Sequence, residues 1–151
     1  TMGGTVLTVD GAPVDVPGAV SYKGMMLSGV PNFTMVIGYT NASWTLKCDL
    51  TAAYVARLLN HMRDHRQWRC TPRNHDPALE ARPFLEMRSG YIARAADRMP
   101  AQGSRFPWQV HQSFLRDFRA MRMGRVDDGA MDFADVGDDG SPQDVEAAEV
   151  A

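Results

Sequence analysis

A polar run between residues 38 and 47 is the part of this sequence best suited to hold a ligand. It reads Gly-Tyr-Thr-Asn-Ala-Ser-Trp-Thr-Leu-Lys and lies between an apolar stretch and the longest helical pattern of the chain. A strand that ends at glycine and restarts as a helix leaves several backbone N–H groups unpaired and aimed in one direction. Such donors suit an anionic or electron-rich ligand edge. Asn41 and Ser43 are also common N-cap residues, so plain helix capping is the competing interpretation.

Two other sets of residues have types that do chemistry elsewhere. His61 and His65 are four residues apart and are followed by Cys70 and His75, a spacing that can ligate zinc. The glutamate of a metalloprotease helix is absent between the first two, and cationic side chains are favourable at a helix C-terminus, so we expect no metal site. Cys48 has no base placed beside it, so we expect a packing residue and no catalytic residue in this chain.

The apolar pattern predicts the elements that position the polar run. Residues 33–38 are apolar and rich in β-forming types, which indicates a buried parallel strand. Residues 43–62 form the clearest helical pattern. Its apolar stripe recurs every fourth position, at Leu46, Leu50, Tyr54, Leu58 and Met62, and is widened by Ala53, Val55 and Leu59. A strand that leads directly into a long helix is typical of an α/β cofactor-binding domain.

The remaining pattern is weaker. Residues 5–17 predict a β-hairpin around an Asp-Gly turn, residues 67–71 a short strand and residues 74–83 a polar loop. Residues 90–99 and 110–121 predict helices, separated by a non-helical connector over residues 100–108. The second of these helices is expected to turn Phe114, Leu115, Phe118 and Met121 inward.

Charge is distributed unevenly along the chain. Residues 126–151 hold nine acidic residues and no lysine or arginine, whereas the other 125 residues carry 16 basic residues and nine acids. The basic residues are scattered and no nucleic-acid-binding motif accompanies them, so we expect no nucleic-acid partner. The acidic segment is rich in Gly, Asp and Ala, which is typical of a disordered tail.

Two cysteines do not make a disulfide framework and fit a reducing compartment. No apolar run approaches the ~18 residues of a membrane span, and no signal-peptide pattern is present. We therefore expect a cytoplasmic chain without a membrane span.

Several short blocks, in a fixed order, carry a family resemblance. They are the run at 38–47, residues 21–32, Leu-Leu-Asn-His-Met (58–62), Arg-Pro-Phe-Leu-Glu (82–86), Ser-Gly-Tyr (89–91), Gln-Gly-Ser-Arg (102–105) and Val-Asp-Asp-Gly (126–129). Over about residues 16–133 the chain resembles the C-terminal region of flavin-dependent monooxygenases of the Baeyer–Villiger type, nearest the ethionamide-activating subfamily. The resemblance implies FAD, NADPH and molecular oxygen, and a small-molecule ketone or sulfur substrate.

In that family the strand-to-helix junction lies against the flavin ring. The resemblance implies cofactor contacts from Asn41, Ser43, Trp44, Thr45 and Leu46. The N–H groups of Thr45 and Leu46 would face the pyrimidine oxygen of the isoalloxazine, with Trp44 near the substrate side. Reduced flavin is negatively charged at this edge, so a helix N-terminus would stabilise it by ~0.3–1 kcal/mol. Trp44 is also explained by core packing, which is the commoner role of a lone tryptophan at a helix start.

The sequence contains no Gly-x-Gly-x-x-Gly and no Walker loop, and in the family the dinucleotide-binding motifs lie upstream of the matched region. We therefore expect the C-terminal part of a monooxygenase, inactive alone, whose N-terminal FAD/NADPH-binding portion is present in cis or in trans. The alternative is a non-catalytic remnant or a small interaction or complementing module. A lobe of an enzyme should expose its Leu46-Leu50-Tyr54-Leu58 face, whereas an autonomous domain should unfold cooperatively as a soluble monomer.

The expected fold class is α/β. Residues 1–66 would form the strand–helix portion of a Rossmann-like FAD-binding domain, residues 67–125 a mainly helical extension, and residues 126–151 an acidic, disordered tail.

Overall fold

A computed structural model of the chain describes residues 5–85 and 98–135. In chain order, its elements are β1 (Thr8–Val9), β2 (Ala12–Pro13), β3 (Ser21–Tyr22), β4 (Met26–Leu27), α1 (Trp44–Asp64), β5 (Gln67–Pro72), β6 (Ala81–Pro83), β7 (Ala101–Gly103), α2 (Phe114–Phe118), a π-helical turn (Arg119–Met123) and β8 (Met131–Asp135). The helix predicted over residues 90–99 lies almost wholly outside the described residues. No helix among the described residues has both the length and the apolar character needed to cross a membrane.

The strands of the described residues pair two by two, always antiparallel: β1 with β2, β3 with β4, β5 with β8 and β6 with β7. The β1–β2 hairpin turns through Asp10 and Gly11, both at positive φ (51° and 81°), which is the turn geometry that Asp-Gly favours. The predicted hairpin is confirmed. The fold is thus mixed helix and strand, and the one parallel contact in the described part of the chain is an isolated bridge between Val20 and Ala101.

Helix α1 forms where the apolar pattern predicted it. Its buried face consists of Lys47, Leu50, Thr51, Tyr54, Leu58 and Met62. Leu46 and Leu59, both assigned to the stripe, are exposed at 38% and 58%. Leu50, Tyr54 and Leu58 are covered by the chain's own residues. The prediction that an enzyme lobe would expose the Leu46-Leu50-Tyr54-Leu58 face is therefore wrong for all of these residues but Leu46.

The predicted parallel strand at residues 33–38 is not formed within the described residues. The Met35 N–H donates to Met25 O at 2.7 Å, and residues 33–38 make no other backbone–backbone hydrogen bond within the described part of the chain. Apolar, β-forming residues make the segment extended, but a strand also needs a neighbouring strand to complete its ladder.

Strand β8 places part of the predicted acidic tail in the fold. It pairs with β5 from Gln67↔Asp135 to Pro72↔Met131, and Met131 and Ala134 are buried. The tail therefore does not begin at residue 126 as predicted. Met131 and Ala134 lie in the core, but each has an acidic neighbour. The acidic composition of the segment therefore favoured a disordered tail over a strand. Residues 136–151 lie outside the described residues.

The extension after α1 differs from its prediction in two further ways. Its described part contains β5, β6 and β7, and its only helical pieces are α2 and the π-helical turn, so the expectation of a mainly helical extension is wrong there. β5 confirms the predicted strand, whereas β6 lies in the predicted polar loop. The last helix begins at Phe114 instead of residue 110, and Leu115 and Phe118 are 77% and 41% exposed while Met121 is fully buried.

One hydrophobic cluster joins residues from both ends of the described chain. It contains Tyr22, Met25, Met26, Leu50, Tyr54, Leu58, Met62, Cys70, Trp108, Met121, Val126, Ala130 and Met131. The residues on either side of the predicted boundary at residue 66 therefore share one core. This core packs against α1 from Leu50 to Met62 and so fixes the helix that begins at the polar run.

Candidate functional site

The five predicted site residues lie together in one exposed turn at the start of α1. They are Asn41, Ser43, Trp44, Thr45 and Leu46, and all five are exposed. Trp44, at 59% exposed, is not the buried packing anchor that a lone tryptophan at a helix start most often is. Residues 41–46 thus lie at the surface of the described chain.

The first turn of α1 has no side-chain cap, and of its backbone donors the Leu46 N–H donates to Ser43 O at 3.3 Å. Ser43 is the N-cap residue by its extended backbone (φ −62°, ψ 135°), but its hydroxyl lies 2.7 Å from Thr45 Oγ1 and makes no capping hydrogen bond. Asn41 donates its side-chain N–H to Gln112 O at 3.1 Å. Ser43 therefore occupies the predicted N-cap position without a side-chain capping hydrogen bond, and the prediction of Asn41 as the cap is wrong. The first turn of α1 also contains no acidic residue, so the turn itself carries no side chain that neutralises the positive end of the helix dipole.

Trp44 lies directly against Gly38, the last residue before the polar turn. A Cβ atom on residue 38 would overlap the indole ring, so only glycine allows this approach of backbone and ring. Trp44 also lines an apolar cavity of about 510 Å³, together with residues 33–37. The indole therefore forms the border between the helix N-terminus and an apolar space.

Gln112 fixes the backbone that leads into the helix. Its side-chain oxygen accepts from the Thr40 N–H at 2.9 Å and from the Thr40 hydroxyl at 3.1 Å, while its backbone oxygen accepts from Asn41. Each of these bonds spans more than 70 residues of sequence. The segment before α2 thus holds the turn at residues 40–41 in place.

A buried ion pair beneath the surface supports the same turn. Lys47 Nζ lies 2.7 Å from Asp117 Oδ2, with side-chain exposures of 3% and 7%. The Tyr39 hydroxyl donates to the same carboxylate oxygen at 2.7 Å. Burial, together with this hydrogen bond to Asp117, raises the pKa of the Tyr39 phenol. Residues 39 and 47, at the two ends of the polar run, are therefore tied to one carboxylate on α2.

A second buried polar cluster lies behind the first. Lys23 Nζ is 2.9 Å from Asp128 Oδ2 and 3.1 Å from the Tyr54 hydroxyl, and Tyr22 donates to Asp128 at 2.8 Å. Burial lowers the pKa of the Lys23 ammonium against the opposing effect of Asp128, and it raises the pKa values of Tyr22 and Tyr54. These groups join residues 22–23 to residue 128 inside the core, and we assign them a structural role.

The positioning residues Gln112 and Asp117 were not predicted from the sequence. The sequence places Asp117 on the helix predicted over residues 110–121 but gives it no role. Nothing in the local spacing pairs it with a lysine 70 residues earlier. Lys47 carried a detectable signal. It lies three residues before Leu50 and seven before Tyr54, which places its side chain on the buried face of α1.

The histidines and cysteines are dispersed. Within residues 5–85 and 98–135, no three His, Cys, Asp or Glu side chains are grouped so as to hold a metal ion. His65 Nδ1 lies 2.8 Å from His61 O, and His75 Nε2 lies 2.9 Å from Asp132 Oδ1. Cys48 is exposed, so its predicted packing role is wrong, whereas Cys70 is buried and its pKa is raised by that burial.

Comparison with known proteins shows which proteins are similar to this chain in sequence. The chain is 48% identical over 132 residues to the FAD-containing monooxygenase EthA of Mycobacterium tuberculosis, covering 87% of this chain and 27% of that protein. It is 44% identical over 139 residues to the putative FAD-containing monooxygenase MymA of the same species, covering 91% and 28%. Over this segment the chain is homologous to FAD-containing monooxygenases.

A relative outside the mycobacteria extends the match. The probable FAD-binding monooxygenase AlmA of Acinetobacter baylyi is 44% identical over 133 residues, covering 87% of this chain and 27% of AlmA. The chain thus spans little more than a quarter of the length of these FAD-containing monooxygenases and corresponds to a C-terminal part of them. The family resemblance is confirmed. No family model and no solved structure matches the chain.

Proposed function

We propose that this chain forms the flavin-facing C-terminal part of an FAD- and NADPH-dependent monooxygenase of the Baeyer–Villiger type. The observation that carries the proposal is the exposed, uncapped N-terminus of α1 in a chain homologous to FAD-containing monooxygenases. The substrate would be a small ketone or a sulfur compound. The remaining portion, with the dinucleotide-binding motifs, would be joined in cis or bound in trans, and this chain alone would be inactive.

The residues present fit an isoalloxazine ring. The first turn of α1 offers N–H donors, carries no competing acid and is bordered by an exposed indole, which suits an aromatic ring with one electron-rich edge. When bound, FAD supplies the redox chemistry with which a monooxygenase transfers one oxygen atom of O₂ to its substrate.

Each residue of the turn then has a distinct task. The Thr45 N–H orients the pyrimidine edge of the ring and favours negative charge on it. The Leu46 N–H, which donates to Ser43 O at 3.3 Å in the structure, would be shared with the ring. Trp44 excludes water from the side of the ring that adjoins the apolar cavity. Gln112 and Asp117 hold the turn, so that the donors are already aimed before the cofactor binds.

The proposal is tested by placing a charge at the first turn of α1. The test protein is a hybrid in which this chain replaces the matched segment of M. tuberculosis EthA. Thr45→Glu should lower FAD retention several-fold and make the flavin midpoint potential more negative, because a carboxylate there repels the reduced ring. The neutral Thr45→Gln variant, of nearly the same size, is the matched control.

The same substitution has the opposite sign in the chain without FAD. A glutamate in the first turn should stabilise the free chain by ~0.3–1 kcal/mol through the helix dipole. Loss of FAD together with a more stable free chain therefore separates a cofactor contact from general damage. Equal FAD content and equal potential in the two variants would contradict the flavin-facing role.

A second candidate is a complementing module without catalytic activity of its own. The observation that favours it is the self-contained core, in which Leu50, Tyr54 and Leu58 are covered by the chain's own residues. A chain with such a core can fold before it meets a partner. Cooperative unfolding of the soluble, isolated chain would support this candidate, and aggregation of the isolated chain would exclude it.

A further inference from the structure

A polar but uncharged pocket of about 290 Å³ lies beside the turn that leads into α1. Seven of the described residues line it and none of them is charged. They include Thr40 and three glutamines, Gln102, Gln109 and Gln112. Thr40 belongs to the polar run, so a molecule bound in this pocket lies next to the residues assigned to the cofactor.

The orientation of the Gln112 amide is determined by its hydrogen bonds. Its side-chain oxygen accepts from the Thr40 N–H at 2.9 Å and from the Thr40 hydroxyl at 3.1 Å. A backbone N–H only donates, so the atom that faces it is the oxygen and not the amide nitrogen. Within residues 5–85 and 98–135 that nitrogen has no hydrogen-bond partner. Gln112 therefore keeps the donors of its amide group for a ligand.

Gln109 is the second glutamine of the pocket with unused hydrogen-bonding capacity. Its side chain is half-buried and makes no hydrogen bond within the described part of the chain. Gln102, by contrast, uses both ends of its amide, since it donates to Pro83 O and accepts from the Val110 N–H, each at 2.9 Å. Gln102 is thus a fixed part of the wall, whereas Gln109 and Gln112 offer amide groups to a ligand.

The lining selects the chemical class of that ligand. Phe84, Leu85 and Val110 supply apolar walls, and the amide groups donate and accept hydrogen bonds without a net charge. A charged group would lose its hydration there without meeting an opposite charge, and an apolar group would leave the two amides unpaired. The pocket therefore suits a neutral hydrogen-bonding group, such as a carboxamide, on an apolar body.

We propose that this pocket binds the polar end of the monooxygenase substrate, with Gln109 and Gln112 as the residues that determine specificity. The enzyme then prefers a ketone or sulfur compound that carries a neutral hydrogen-bonding group to one that ends in an apolar or a charged group. The inference rests on the proposed function for the reaction itself. Because Gln112 also accepts from Thr40, a substrate held by its nitrogen has a fixed position relative to the first turn of α1.

Three methyl ketones of equal size test this preference in the EthA hybrid described above. After the same three-carbon linker they end in a carboxamide, an isopropyl group or a carboxylate, which have nearly the same shape. We expect kcat/KM to be highest for the carboxamide ketone, because only this end group hydrogen-bonds without bringing a charge into the pocket. A higher kcat/KM for either of the other ketones would overturn the proposal.

Gln109→Leu removes one of the two amides and nearly preserves the size of the side chain. It should lower the ratio of kcat/KM for the carboxamide ketone to that for the isopropyl ketone about tenfold, mainly through KM, and leave the FAD content unchanged. Gln67→Leu, the same change at a half-buried position of β5 outside the pocket, is the matched control. A ratio that changes no more in Gln109→Leu than in Gln67→Leu would contradict the role of Gln109.

Gln109→Glu keeps the proposal testable if the leucine variant does not fold. It preserves the shape of the side chain and adds a negative charge. Because like charges repel in a desolvated pocket, kcat/KM for the carboxylate ketone should fall at least tenfold relative to the isopropyl ketone. An unchanged ratio of these two values would place the bound substrate away from Gln109 and overturn the proposal.

Binding is also measured without turnover, in the free chain. The side-chain amide NMR signals of Gln109 and Gln112 should shift when the carboxamide ketone is added, and those of Gln67 should not. Signals of Gln109 and Gln112 that move no more than those of Gln67 would count against the pocket.

The outcomes separate this proposal from the flavin-facing role. A hybrid that holds FAD and oxidises the ketones with a preference independent of Gln109 would retain the proposed function and overturn the pocket. Amide signals that shift in the free chain, when the hybrid holds no FAD, would support the pocket and remove the flavin-facing role. If Gln109→Leu lowers the thermal midpoint of the hybrid but not the ratio, a side chain of the remaining portion fills the pocket and the proposal fails.

Discussion

At the residue scale, the ion pair between Lys47 and Asp117 is the contact that most constrains the candidate site. Both side chains are nearly inaccessible to solvent, and Asp117 also accepts from Tyr39. A buried pair of charges adds little net stability compared with an apolar pair, but removal of one partner leaves the other charge unpaired in a low-dielectric environment. The pair therefore acts mainly as a positional constraint on the polar run.

The Asp117→Asn variant tests this role. The amide still accepts from Tyr39 but no longer neutralises Lys47, so we expect the free energy of unfolding to fall by ~3–5 kcal/mol in urea titrations. Asp49→Asn is the matched control, because Asp49 forms an exposed ion pair with Arg122 at 2.9 Å. Such pairs contribute ~0–1 kcal/mol. A loss in Asp117→Asn no larger than in the control would show that the pair does not support the turn.

The residues of the candidate site were predictable from their types, but the residues that hold them were not. Thr, Asn and Ser before a helical pattern mark a helix start by local chemistry, and the turn at residues 41–46 lies where that chemistry places it. The contacts of Gln112 and Asp117 depend on which segments meet in space. No local periodicity encodes those contacts. The sequence therefore predicted the turn but not the two residues that hold it.

At the element scale, the approach of Gly38 to Trp44 sets the angle at which the chain enters α1. A Cβ atom on residue 38 would overlap the indole, and Trp44 is exposed enough to swing away. Gly38→Ala should therefore cost the free chain only ~1 kcal/mol, near the low end for an overpacked contact. Its main effect should be displacement of Trp44 from the border of the apolar cavity.

Tryptophan fluorescence measures that displacement. Gly38→Ala should shift the emission of the chain to longer wavelength, since the displaced indole loses its packing against backbone and becomes more exposed, and Trp44→Phe identifies the part of the emission that Trp44 supplies. In the EthA hybrid the same variant should lower FAD retention, whereas in the free chain the helical circular dichroism of α1 should stay unchanged. An emission spectrum identical to that of the unsubstituted chain would show that the glycine is not required by the indole.

The elements that were predicted correctly are those whose stability is local. Helix α1 follows from a repeated apolar period, and the β1–β2 hairpin follows from an Asp-Gly turn. The prediction of a strand at residues 33–38 was wrong because a strand needs a partner strand for its backbone hydrogen bonds, and the described residues do not supply one. β8 was missed because an acidic residue follows each of the two side chains that it buries.

At the scale of the whole molecule, β8 joins the end of the described chain to the strand that follows α1. Met131 and Ala134 are buried, and the β5–β8 ladder is the longest in the described residues. Together with Met121 and Val126, Met131 belongs to the same cluster as Tyr22 and Leu50. The chain should therefore unfold as one cooperative unit and not as a stable first part followed by a loose extension.

Two truncations separate β8 from the residues beyond it. Removal of residues 136–151 leaves β8 in place and gives the reference chain. Removal of residues 131–151 also deletes β8, which exposes the core face of β5 and leaves its backbone groups unpaired. Leaving a core side chain such as Met131 out of the fold costs ~2–5 kcal/mol on its own, so the longer truncation should abolish cooperative unfolding.

If instead both truncated chains unfolded with the same midpoint, β8 would be an accessory strand. The turn before α1 would then have to be held by Gln112 and Asp117 without support from the end of the described chain.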